Sequence, residues 1–79
     1  MTPEKLKARI EELSPGTRAE VVDLTGTMDH YQAVVISPAF AGKMTIEQHR
    51  MVLDLFQNEI ASNEVHALSL KTYTPEQKR

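Results

Sequence analysis

Two β-branched runs stand close together in this chain: "RAEVVDL" at 18–24 and "HYQAVVIS" at 30–37, separated only by "TGTMD". A connection this short can join only neighbouring antiparallel strands, because a parallel pair needs a crossover of a dozen or more residues. A β-hairpin is therefore the fixed point of the fold. A third strand-like run, "VHALSLKTY" at 65–73, comes after a helical stretch and has to enter the sheet by a crossover. The resulting order is α-β-β-α-β. It predicts an α+β fold with a three-stranded mixed sheet and the helices on one face.

The flanking signals agree with that order. Thr2 can cap a first helix, Pro3 suits its first turn, and Leu6, Ile10 and Leu13 repeat at helical spacing. "SPGT" at 14–17 stops it. Thr45 and Gln48 have the spacing of a capping box, predicting a second helix from about Ile46 to Ala61. On that helix Ile46, Val52, Leu53, Phe56 and Ile60 form the expected apolar stripe, with His49 near its middle. Met51 and Leu55 fall to another side, as partly exposed apolar groups. Thr74-Pro75 can cap a short terminal helix.

A chain of 79 residues is one domain with a thin core. It contains no cysteine, so a disulfide, a thiolate nucleophile and a cysteine-based metal site of its own are all excluded. A net charge of −2 gives no general electrostatic attraction to a nucleic-acid backbone, although Lys43, Arg50 and Lys71 are candidates for a local partner or nucleic-acid surface. No apolar run approaches the roughly 20 residues of a membrane span, and the charged, amphipathic start is unlike a signal peptide. A soluble cytoplasmic protein is the expectation. None of Ser14, Ser37, Ser62 or Ser69 lies in a G-x-S-x-G context, and no glycine-rich phosphate loop is present, so the chain is not expected to be an enzyme.

Chemistry then rests on three histidines. Imidazole is the commonest protein metal ligand and titrates near neutrality. His49 reads as a packed, neutral side chain near a helix start. His30 sits where the turn enters the second strand, a position that is often simply solvated. His66 opens the third strand; alternation places it with Leu68 and Leu70, opposite Val65 and Ala67. A strand-end ring can be offered to a partner or can serve packing alone, and the pattern leaves both open. The three histidines match no zinc-site spacing.

Two segments carry a family resemblance. "VISPAFAGKMTIEQHRMVLDLF", with Ser37, Phe40, Gly42, Gln48, His49, Arg50 and Val52, resembles the BolA-like family, and so does "VHALSLKTYTPEQ". The resemblance covers nearly the whole chain. It implies an α-β-β-α-β fold close to a type II KH arrangement. It also implies a non-enzymatic adaptor that pairs with a monothiol glutaredoxin and shares a bridging [2Fe-2S] cluster. In such a pair, glutaredoxin and glutathione supply thiolates, and the histidine of the "HAL" segment, here His66, supplies a nitrogen ligand. Many members carry a second ligand, Cys or His, in the loop between the first two strands. Here that loop holds Met28 and no cysteine, and His30, directly before Tyr31, is the candidate second ligand. Lys78 stands where the family usually has tryptophan. Because some members are described as transcriptional regulators, DNA is the alternative partner. A monomer or weak dimer is expected when the chain is alone.

Overall fold

The hairpin and the crossover both form. In the computed structural model, which describes residues 1–27 and 29–77, β1 (Arg18–Asp23) runs antiparallel to β2 (His30–Ile36). The third strand, β3 (Ala67–Tyr73), pairs in parallel with the other edge of β2, so the sheet is mixed with order β1-β2-β3. Side-chain alternation follows the pleat. Along β2, Tyr31, Ala33 and Val35 are fully buried, while His30, Gln32, Val34 and Ile36 are half-buried on the opposite face. The buried side meets Leu6 and Ile10 of α1 (Pro3–Glu11), Val52 of α2 (Thr45–Leu53), and Phe56, which lies just before α3 (Gln57–Ala61). The helices thus share one face of the sheet, and among the described residues the other face carries none.

The first helix starts as its sequence predicts. Thr2 Oγ1 accepts a hydrogen bond from the Lys5 amide at 3.2 Å, and Pro3 opens the helix where its missing N–H is not needed. Leu6 and Ile10 are fully buried and Leu13 packs against them. Where the chain leaves α1, the hydroxyls of Ser14, Thr17 and Ser37 close a triangle with sides of 2.8 to 3.1 Å. That triangle fastens the entry of β1 to the exit of β2.

The second helix departs from the sequence reading in two ways. Its cap lies one residue earlier. Met44 is the N-cap residue, and Glu47 Oε1 accepts from its amide at 3.1 Å. Gln48 is therefore free of capping and is buried instead. Its Nε2 donates to the carbonyls of Phe40 (3.1 Å) and Lys43 (2.9 Å), and its Oε1 accepts from the Thr72 hydroxyl at 2.6 Å. The inward stripe accordingly runs Gln48, Met51, Val52, Leu55, Phe56, the spacing of one helical face, with Met51 and Leu55 packed on the core. Ile46 is 64% exposed and Ile60 is 37% exposed, so neither belongs to it. A search for apolar residues alone misplaces this face because its first member is a polar amide.

A 3₁₀ turn at Asp54–Phe56 interrupts the expected continuous helix and separates α2 from α3. Arg9 of α1 closes over it. Its guanidinium lies 5.2 Å from the centre of the Phe56 ring, reaches the Leu55 carbonyl at 3.4 Å, and pairs with Glu59 at 2.7 Å. After β3, the Gln77 amide donates to the Thr74 carbonyl at 3.0 Å, forming a single turn. Lys78 lies outside the described residues.

Candidate metal-ligating site

Parallel strands start at the same end of a sheet, and this is what brings two histidines together. His30 opens β2, and its register partner is Ala67, the first residue of β3. His66 immediately precedes that partner. The two imidazole rings lie with centroids 4.9 Å apart and planes inclined at 45°. The His30 side chain is 37% exposed, and His66 is exposed as well. Two ionisable rings thus meet at an accessible corner of the sheet.

Asp29 builds the backbone of that corner. Its carbonyl accepts from two successive amides, His66 at 2.7 Å and Ala67 at 3.1 Å. Two donors on one acceptor offset a strand by a residue, as at a β-bulge. The alternation expected to run back from Leu70 and Leu68 through His66 breaks here. Val65 is fully buried, Leu68 and Leu70 are half-buried, and His66 and Ala67 are exposed side by side. The irregularity keeps the His66 ring out of the core.

The Asp29 side chain faces the same corner. Its Oδ1 accepts from the Thr27 hydroxyl and lies 2.9 Å from His30 Nδ1. The Thr27 hydroxyl first, and then the His30 ring, hold this carboxyl down at about 2, and the nearby charge of His66 acts in the same direction. The preceding loop is shaped locally. Asp23 Oδ1 accepts from the amides of Thr25 (3.2 Å) and Gly26 (3.0 Å), and Gly26 adopts a left-handed φ of 78°. The Leu24 amide closes the hairpin on the His30 carbonyl at 2.8 Å. Met28, where the family loop ligand would be sought, is outside the described residues.

Sequence reasoning did not single out Asp29, since an acid in a turn is ordinarily solvated. Its position directly before His30 was the only signal. His49 lies half-buried on α2, in the helix layer. Among the described residues no three His, Cys, Asp or Glu side chains converge on a metal position, so a three-histidine zinc site does not form. Lys43 and Arg50 share a shallow depression with Glu47, Met51 and Asp54, which leaves that surface mixed in charge. Lys71 is exposed on β3 between the half-buried Leu70 and Thr72, on the helix-free face and away from the other two. The three cations do not make one patch.

The model of the family described as "BolA-like protein" matches residues 3–77. The chain belongs to the BolA-like family. Its alignment with the DNA-binding transcriptional regulator BolA of Escherichia coli is 31% identical over 81 residues, covering 94% of this chain and 76% of that protein. With a BolA-like protein of Dictyostelium discoideum it is 36% identical over 52 residues, covering 66% of this chain and 46% of that longer protein. Among solved structures, the BolA domain of SufE1 from Arabidopsis thaliana superposes with a TM-score of 0.83 at 28% identity, covering 95% of this chain and 93% of that one. The α-β-β-α-β order and mixed sheet expected from the sequence are thus the fold of this BolA-like chain. The family consists of non-catalytic adaptors and regulators, and this member is not an enzyme. No helix among the described residues is long and apolar enough to cross a membrane.

Proposed function

We propose that this BolA-like chain is an adaptor that lends His66 and His30 to a [2Fe-2S] cluster shared with a monothiol glutaredoxin and glutathione. The observation that carries the reading is the pair of rings 4.9 Å apart at an exposed strand entry. The donor set suits the cargo. A metal held about 2 Å from one nitrogen of each ring, at a tetrahedral angle, places the ring centroids on the order of 5 Å apart. His30 and His66 would hold one iron of the cluster through imidazole nitrogens, and the partner's thiolates would hold the other. The likeness to the BolA domain of SufE1 supports a role in iron–sulfur handling.

Imidazole in place of thiolate raises the reduction potential of a [2Fe-2S] centre and makes its ligation sensitive to protonation. This chain's own part is to hold two imidazole rings at a fixed spacing, on a surface that a second protein can reach. Mixing it with a monothiol glutaredoxin, ferrous iron, sulfide and glutathione tests the reading. A visible spectrum distinct from that of glutaredoxin alone, and lost in His66→Ala, is expected. Identical spectra with and without the chain would sink it.

The E. coli relative's description favours a second reading, binding to duplex DNA. Against it stand the net charge of −2 and the acids set among Lys43 and Arg50. A mobility shift that weakens steeply with salt would support DNA binding, because phosphate contacts release counterions.

A further inference from the structure

We infer that Asp29 is a positioning residue for the histidine pair, governing both rings from one place in the chain: His66 through its carbonyl and His30 through its carboxylate. The inference rests on the proposed ligation by His30 and His66. Its first half is main-chain geometry. The Asp29 carbonyl takes the amides of His66 and Ala67, so the backbone that carries the second ring is anchored to the residue that precedes the first.

The second half is tautomer selection. An ionised carboxylate can only accept hydrogen bonds. Asp29 Oδ1 lies 2.9 Å from His30 Nδ1, so Nδ1 carries a hydrogen, and whenever the ring has only one, its lone pair is at Nε2. A metal binds only an unprotonated ring nitrogen. Asp29 therefore decides which atom of His30 is available to iron, restrains rotation of the ring, and makes the opposite nitrogen a better donor. The Thr27 hydroxyl donates to the same Oδ1 and holds the carboxylate in that role. His66 takes no such bond from the carboxylate. Changing the side chain should therefore alter His30 and spare His66, because every residue type retains the carbonyl.

Histidine tautomers can be read in the free, ¹⁵N-labelled protein at pH 8 by long-range proton–nitrogen correlation. The wild type should show His30 protonated at Nδ1. In Asp29→Ala the His30 proton should move toward Nε2 while the His66 tautomer stays as it is in the wild type. Asp29→Asn keeps an acceptor oxygen and should restore the wild-type pattern. With glutaredoxin, iron, sulfide and glutathione, Asp29→Ala should weaken cluster assembly about 10- to 100-fold, and Asp29→Asn less. A wild-type His30 protonated at Nε2, or an Asp29→Ala variant matching the wild type in tautomer and in cluster affinity, would overturn the inference. If the wild type assembles no distinct cluster, the ligation reading falls, and the tautomer result on the free protein still decides whether Asp29 controls His30.

Discussion

Beyond the ladder with β2, two residues that tie β3 to the rest of the molecule do so in opposite surroundings. Gln48 is buried, and its amide bonds Phe40, Lys43 and Thr72, joining the connector, α2 and the far half of β3. Asp29 sits at the open corner and bonds Thr27, His30, His66 and Ala67, joining the loop, β2 and the start of β3. The clamp at Gln48 makes one buried and two part-buried hydrogen bonds, so losing it costs stability. The exposed clamp holds groups that water could satisfy, so losing it costs little stability and changes what the rings can bind. On the proposed ligation by His30 and His66, stability and binding lie at opposite ends of one strand.

Substitutions should separate the two ends, with the largest effect on the buried side. Phe56→Ala removes a fully buried ring and its contact with Arg9, and should destabilise by about 4 kcal/mol in urea denaturation. A loss below about 1 kcal/mol would mean that the core does not close over this 3₁₀ turn. Gln48→Ala removes one buried and two part-buried hydrogen bonds, and should cost about 2–3 kcal/mol while leaving the His30 and His66 ring signals unmoved. Movement of those signals would show that the two ends are coupled. At the exposed end, His66→Ala should change stability by no more than about 0.5 kcal/mol, since the ring is exposed and the amide bond to Asp29 remains.

Acid gives the smallest of these effects. The Arg9 guanidinium holds the Glu59 carboxyl below its usual value of 4.5. A carboxyl lowered in the folded state contributes stability above its unfolded value, and that contribution is lost as pH falls through the folded one. Denaturation midpoints should therefore drop as pH falls below the usual value of 4.5, and less so in Arg9→Leu, once other carboxyls are accounted for. An equal drop in both proteins would remove the pair from the account.

Much of this division could be read from the residues, and the parts that could not have physical reasons. The hairpin followed from a short turn between β-branched runs, and the mixed sheet followed from the crossover. Which face of β2 packs inward was not assigned, because Val34 and Ile36 on the open face are as apolar as Ala33 and Val35 on the buried one. The α2 face was misread because Gln48 heads it, and amide burial leaves no mark in an apolar count. The helix cap was set one residue late because Thr45–Gln48 and Met44–Glu47 offer the same three-residue spacing, and only the backbone selects between them. His30 and His66 were each identifiable as candidates. Their meeting depends on parallel register and on two amides sharing the Asp29 carbonyl, neither of which is encoded locally.

Pulsed electron–nuclear resonance on the reduced cluster of the glutaredoxin pair, with ¹⁵N-histidine only in this chain, tests the central claim most directly. Two strongly coupled imidazole nitrogens are expected, reduced to one in His30→Ala and both absent in His66→Ala, where the shared cluster does not form. A cluster that assembles in the presence of this chain with no strongly coupled ¹⁵N would contradict it.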